Sequence, residues 1–498
     1  MRWLERARFV MARDLTLGDL FERLAGVHGD RRLVEEAGGL RFTYTEAADE
    51  VARLAGVVAE QISPGDRVVV AMPNGYRFFL LCLAVSRAGG VVVPVNQKMR
   101  PAEIEYVIQD SGAAVVLRDP AELTGGRPLT EAVAVDPGDV AAILYTSGTT
   151  GNPKGARLTH RSLLGQLPVT AMWPAEARRD EAVVGLPIAH IMGLGVLLAT
   201  ACAGIPVYLL PAFRAEQALD AIEWRRATIF VGVPAMYRML LEASAANRDL
   251  RSVRLWASGA DVMPSDVVEQ FKRMGASITL PWFGLSLGEA AFAGGYGMVE
   301  LGGGVAGSMS PPMLPARVGE VLTAIPPNRF RVVDSGSDVR VGQVGELWVR
   351  GPGVLESYHG NAEATSQVRT DDGWLRTGDL VRRLPCGAVL FAGREKDVIK
   401  TGGYSVFAGE VERALEEHPA VAEAAAVGLP DDRMGQVPVA AVRLRDGGAS
   451  PVSEADLVAF AAERLAGYKA PRRIRIVDVL PRTGTEKVQK RELIPLFD

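Results

Sequence analysis

The chain is poor in the features that would carry it out of a cell or into a bilayer. Three cysteines occur in 498 residues, Cys82, Cys202 and Cys386. They stand far apart without metal-ligand spacing, which excludes a disulfide framework and predicts a reduced compartment. No apolar run approaches the roughly 20 residues a membrane span requires. The first residues, Met1-Arg-Trp-Leu-Glu-Arg-Ala-Arg8, carry charges throughout and lack the apolar core of a secretory leader. Positive charge is not in excess either. The 55 basic residues are outnumbered by 59 acidic ones, for a net charge of −4, which argues against a nucleic-acid partner. Internal repeats and low-complexity tracts are missing. The absences together predict a cytoplasmic protein with neither nucleic acid nor membrane as partner.

What is present reads as a large globular chain. A hydrophobic share of 48% and a charged share of 23% are ordinary. The length exceeds what one core fills, so at least two domains are expected. Strand-like runs in Gly65-Asp-Arg-Val-Val-Val-Ala-Met72 and Gly90-Val-Val-Val-Pro-Val-Asn96 alternate with helical patterns at 17–28 and 76–88. Further on, helices are predicted at 218–226, 234–242 and 264–274, with strands at 228–232 and 252–257. Such alternation implies α/β architecture, a parallel sheet covered on both faces. From residue 329 onward Arg331-Val-Val-Asp334 and Gly345-Glu-Leu-Trp-Val-Arg-Gly351 alternate like antiparallel strands and predict a β subdomain. A boundary falls near Gly393–Lys400, giving a large N-terminal domain over 1–395 and a small, mobile α+β domain over 396–498. In the latter, helices are expected at 409–417 and 453–466 and strands at 421–427 and 438–444.

The densest signal is Tyr145-Thr-Ser-Gly-Thr-Thr-Gly-Asn-Pro-Lys-Gly155. An apolar run, Val140–Leu144, precedes it as a buried strand, and a helix-like segment from Arg161 to Leu167 follows. Thr146, Ser147, Thr149 and Thr150 supply hydroxyls, Gly148, Gly151 and Gly155 allow close backbone approach, and Lys154 adds a cation. That mixture suits a polyphosphate. It is not a Walker A loop, because Gly155 follows Lys154 where a Mg²⁺-binding Ser or Thr would stand.

The eleven residues resemble the phosphate loop of adenylate-forming enzymes, and the chain resembles an AMP-forming acyl-CoA ligase from about residue 15 to its end. The resemblance implies ATP, Mg²⁺ and coenzyme A, a small carboxylic acid, and formation of an acyl adenylate followed by transfer to CoA. It implies that residues 146–155 hold phosphates and that Gly259 and Ala260 hold adenine. In Trp374-Leu-Arg-Thr-Gly-Asp379 the carboxylate of Asp379 is implied to take the ribose, with Arg394 adding a second contact. His190, in Pro187-Ile-Ala-His-Ile-Met-Gly193, becomes a wall of the acyl pocket, although a histidine among apolar neighbours is by itself an ordinary core residue. Lys487 occupies the place of the catalytic lysine and Lys396 that of the hinge between the two half-reactions. Gly402 and Gly403 match the turn passed by the pantetheine arm. Without an aspartate near His190 to hold an α-amino group, an amino-acid substrate is disfavoured. Trp173, Trp224 and Met236 read as core residues.

Two departures stand out. Similar proteins carry Gly-Tyr-Gly-Leu/Met-Thr-Glu after residue 280, its threonine on phosphate and its glutamate on Mg²⁺. Here the chain reads Pro281-Trp-Phe-Gly-Leu-Ser-Leu-Gly-Glu289, with Phe283 in place of the tyrosine. Trp282, Phe283 and Gly284 then border the acyl pocket, Ser286 replaces threonine, and Glu289 is left as the metal ligand two residues late. Glu486 also replaces the glycine usual before the lysine. These departures predict weakened adenylation with transfer of a preformed acyl-AMP to CoA retained, the adenylate coming from a separate adenylating enzyme. The other readings are a full ligase with a variant loop, an acyl- or aryl-AMP ligase loading a carrier protein, and a silent adenylate or CoA binder.

Overall fold

The computed structural model describes residues 2–119, 123–146, 153–280, 285–402, 404–445, 452–482 and 488–497. The chain has an α/β fold with a large N-terminal sheet domain and a small C-terminal domain. Its compact units are Met1–Arg329 with Val349–Leu375, and Phe330–Trp348 with Arg376–Asp498.

The valine runs of the first unit build a six-stranded sheet ordered Ser357–Tyr358, Lys154–Thr159, Val140–Thr146, Val91–Pro94, Arg67–Val70, Val115–Leu117. Arg67–Val70 pairs in parallel with both of its neighbours. Its Val68, Val69 and Val70 are fully buried, as strands covered on both faces require. Val140–Thr146 (β1) and Lys154–Thr159 (β2) pair antiparallel, with Thr146 opposite Lys154. The strand β2 departs from the expected loop-to-helix passage. Ala156 and Leu158 are buried and alternate with the partly exposed Arg157 and Thr159, a period of two that a helix does not fit. The helix begins at His160, where Thr159 Oγ1 caps it by accepting the Ser162 amide at 3.0 Å.

His160 also ties down the start of the chain, its Nδ1 accepting the Leu17 amide at 3.1 Å. Burial lowers its pKa from 6.5 to about 4, so the imidazole is neutral in the fold. A group depressed in the folded state contributes stability that is complete above the unfolded value and is lost as pH falls from 6.5 to about 4. Urea midpoints measured at pH 7 and pH 5 should therefore fall further for the wild type than for His160→Gln. Equal falls would assign the acid sensitivity elsewhere.

Within the first unit a second sheet runs Val321–Ala324, Gly303–Ser310, Ala291–Met298, Leu255–Gly259, Ile229–Gly232, Ala182–Val184, Val207–Leu209, Arg32–Glu36, Arg41–Thr43. The helix Ile191–Ala203 (α1) lies between two of these strands in sequence. Leu255–Gly259 (β3) is parallel to Ala291–Met298 (β4), in register from Leu255 opposite Ala291 to Gly259 opposite Gly295. Gly303–Ser310 (β5) returns antiparallel to β4. An aromatic core backs β3. The Tyr237 ring lies 4.8 Å from Phe271 and 5.4 Å from Phe230, and Trp256 lies 4.9 Å from Phe271. Each such pair adds about 0.5–1.5 kcal/mol beyond burial. The Tyr237 hydroxyl donates to the Ala257 carbonyl at 2.8 Å, which fixes β3 one residue before Ser258-Gly259.

In the second unit the strands Val344–Arg350 (β6), Leu375–Arg383 (β7) and Val389–Arg394 (β8) lie side by side, β7 and β8 antiparallel. A separate five-stranded sheet contains Val398–Thr401, Tyr404–Phe407, Val421–Asp431, Gly435–Leu444 and Arg473–Ile476. The helices Ala408–Glu416 (α2) and Glu454–Arg464 flank it, close to the predicted 409–417 and 453–466. Val411, Leu415, Leu457 and Ile474 form its core with Ala440 and Val442. Among the described residues no helix is long and apolar enough to cross a membrane.

Candidate active site

In the first unit the candidate site gathers at the C-terminal ends of β3 and β4, where parallel strands present ligand-binding groups. Gly259 ends β3. A Cβ there would stand 3.3 Å from both Met192 Cε and the Gly295 carbonyl, so a side chain would have to displace the methionine or the next strand. Ala260 follows with φ of 72°, a left-handed conformation that costs a non-glycine residue about 1–2 kcal/mol. His190 caps α1, its Nδ1 accepting the Met192 amide at 3.2 Å. It thereby sets the first helical turn, which carries Met192 onto Gly259. The neighbouring strand face is open. A Cβ at Gly295 would meet only the Ser258 carbonyl, at 3.7 Å, and one at Gly304 would meet nothing within 4 Å.

Just past β4 lies a carboxylate that the motif sought at 281–289 does not include. Glu300 accepts the Tyr358 hydroxyl at 2.7 Å, and Lys154 Nζ stands 5.4 Å from the centre of the Tyr358 ring. Burial, and then the charge of Glu300, hold the Tyr358 phenol well above its ordinary pKa, so it remains a donor. Thr146 Oγ1 donates to the Lys154 carbonyl at 3.5 Å. Cation, ring and carboxylate thus come together on β2, the short strand Ser357–Tyr358 and the turn after β4. The signal was in the sequence. Gly295-Tyr-Gly-Met-Val-Glu300 matches the motif sought after residue 280 at every position but Val299.

The described part of the 281–289 stretch, 285–289, lies elsewhere. Ser286 faces Thr279 in a two-stranded hairpin, Ile278–Leu280 with Leu285–Leu287, and Leu287 is exposed. Glu289 precedes Ala291, which pairs with the first residue of β3. Six residues of extended chain, about 20 Å, separate it from Gly295. Its carboxylate is engaged there by the Met313 amide at 3.0 Å, with Lys272 Nζ at 3.7 Å. Ser286 and Glu289 therefore stand at the far end of the strands from Gly259 and Ala260.

In the second unit the Thr377-Gly378-Asp379 segment, expected as a turn, lies within strand β7 and is held by a residue with no sequence signal. Glu346 on β6 accepts the Gly378 amide at 2.9 Å through one oxygen and Trp348 Nε1 at 2.6 Å through the other. Thr377 Oγ1 donates to the Leu347 carbonyl at 2.7 Å. The Asp379 side chain, 4% exposed, lies 3.1 Å from Arg394 Nε across the β7–β8 pair. Lys396 sits in the single turn Glu395–Asp397 that follows β8. Gly402 has φ of 54°, and its amide donates to the Met434 carbonyl at 2.8 Å. Ser147, Gly148, Thr149, Thr150, Gly151, Trp282, Phe283, Gly284, Gly403 and Lys487 lie outside the described residues, as does Glu486.

Among the described residues no cluster of three or more His, Cys, Asp or Glu could hold a metal. A single carboxylate near a lysine nevertheless suits Mg²⁺, which keeps waters and takes most other ligands from a nucleotide. Glu300 fits that description.

Residues 21–359 match the family model for AMP-binding enzyme, and residues 410–487 match the one for AMP-binding enzyme C-terminal domain. A feruloyl-CoA synthase from an Amycolatopsis species is 35% identical over 483 residues, covering 92% of this chain and 94% of that protein. ATP-bound MatB from Rhodopseudomonas palustris superposes with a TM-score of 0.84 at 29% identity, covering 97% of this chain and 99% of its own. The o-succinylbenzoate CoA synthetase MenE of Bacillus subtilis, in complex with the acyl-adenylate intermediate OSB-AMP, gives 0.81 at 26% identity over 96% and 98%.

Proposed function

Since the chain belongs to the AMP-binding enzyme family, we propose that it joins a carboxylic acid to coenzyme A in two steps, and that it performs both. In the first, a carboxylate oxygen attacks the α-phosphorus of ATP, the bond to the bridging oxygen breaks, and pyrophosphate leaves. In the second, the CoA sulfur attacks the acyl carbon, the thiol proton is released, and AMP departs. The observation that carries the complete reaction is the meeting of Lys154, Tyr358 and Glu300. It supplies the carboxylate whose apparent loss favoured a transfer-only enzyme.

Each residue has one task in this reading. Thr146 through Gly151 and Lys154 hold the β- and γ-phosphates, with backbone amides and an ammonium spreading the leaving charge. Glu300 would hold Mg²⁺, which when bound would neutralise phosphate charge. Tyr358 donates to Glu300 and so fixes which way the carboxylate faces. Gly259 and Ala260 receive adenine, and His190 and Met192 border the acid. In the second unit Asp379 takes the ribose hydroxyls, steadied by Arg394 and by the strand segment that Glu346 holds. Lys487 orients the attacking carboxylate, Gly402 and Gly403 leave room for pantetheine, and the domain from residue 396 onward turns about Lys396 between the steps.

The feruloyl-CoA synthase makes ferulic acid the first acid to supply. With ATP, Mg²⁺ and CoA the products should be AMP, pyrophosphate and feruloyl-CoA, separated by chromatography. Synthetic feruloyl adenylate with CoA should turn over as well. Turnover of the adenylate alone would reduce the enzyme to its second step. Product on a phosphopantetheinyl carrier but not on CoA would change the acceptor.

A further inference from the structure

The turn that carries Lys396 is clamped at both ends by charges of the second unit. At its start Arg394 Nε lies 3.1 Å from Asp379 Oδ1. At its end Asp397 Oδ2 faces Lys490 Nζ at 3.9 Å, and the same ammonium lies 2.7 Å from Glu412 Oε1. Glu412 sits on α2, and that same oxygen accepts the Ala426 amide at 2.8 Å. The ammonium is therefore referenced to a helix and to a strand at once. Lys490 has little freedom to follow Asp397 if the turn moves. It opens the final segment Lys490–Phe497, whose Leu493 and Phe497 are buried against the second-unit sheet.

One ammonium serves two carboxylates here, with 26% of the lysine side chain exposed and 27% and 18% of its partners. Without it two like charges would face each other across the gap it fills, and Asp397, on a single turn, would be the one to move. We propose that Lys490 is a positioning residue for the Lys396 turn. It fixes the C-terminal end of that turn to the small-domain sheet, so that rotation is confined to Lys396 and not spread over the following strand. The proposal rests on the two-step ligase reading given above. It adds a residue near the end of the chain whose effect falls on the passage between the half-reactions.

The test measures the half-reactions apart in wild type, Lys490→Met and Lys490→Arg. Ferulic-acid-dependent ATP–pyrophosphate exchange reports the first, and thiolysis of feruloyl adenylate by CoA reports the second. In Lys490→Met, thiolysis should fall about tenfold while exchange changes less than about threefold. Lys490→Arg, which keeps the charge, should restore thiolysis. Adding Asp397→Asn to Lys490→Met should cost little more, because the contact is already gone. Amide hydrogen exchange over residues 395–400 supplies a readout that needs no substrate. Protection there should drop in Lys490→Met and return in Lys490→Arg. Unchanged protection, or equal loss in both half-reactions together with a lowered melting temperature, overturns the proposal. A wild type inactive in both assays would bring down the ligase reading instead, and amide exchange would still decide the clamp.

Discussion

Glu300→Ala should lower acid-dependent ATP–pyrophosphate exchange by about 10²–10³-fold, whereas Glu289→Ala should stay within about twofold. Removing a hard oxygen donor from beside a triphosphate leaves charge unneutralised as pyrophosphate departs. Glu289 is occupied at the opposite end of the strands by Met313 and Lys272, so its loss should appear in stability and not in chemistry. Tyr358→Phe separates holding from coordinating. It removes the 2.7 Å hydrogen bond but keeps the carboxylate, and should cost about tenfold or less. Pyrophosphate exchange at one temperature, with melting curves alongside, decides the ranking. A more damaging Glu289→Ala would return the metal to the 281–289 stretch.

Asp379→Ala should reduce kcat/KM for ATP by about 10²-fold, chiefly through KM, because two charge-assisted hydrogen bonds to a ribose are each worth about 1.5–3 kcal/mol. The carboxylate is already 3.1 Å from Arg394, so part of what the nucleotide gains is exchanged for that contact. Asp379→Asn, which keeps an acceptor but loses the charge, should fall between the two. Stability should change by about 1 kcal/mol or less, since the Arg394 side chain is 39% exposed and water takes over the guanidinium. A loss confined to kcat at unchanged KM would place Asp379 away from the ribose.

The sequence revealed most where a single period governs a segment. The helix at 234–242 is found where predicted, and those of the small domain within about two residues at each end, because their apolar stripes face one core. Lys154–Thr159 misleads because a phosphate loop suggests a helix beyond it, although Ala156 and Leu158 already alternate with polar residues. Gly295–Glu300 escapes notice for a different reason. A glycine-rich string has no periodic signal, and Phe283-Gly284-Leu285 offers a partial match a few residues earlier. Glu346 could not have been found at all, since its contact with Gly378 arises only when β6 and β7 pair. Trp224, expected inside, is 76% exposed on its helix, with the Arg225 guanidinium 5.6 Å from its ring.

The thioether of Met192, which a Cβ at Gly259 would meet at 3.3–3.6 Å, makes this end of the sheet vulnerable to peroxide. Conversion to the sulfoxide would put a stiff, polar S=O where a pliable sulfur now lies near a glycine with little room for a side chain. Oxidative inactivation should thus strike beside the proposed adenine site and be reversible by methionine sulfoxide reductase.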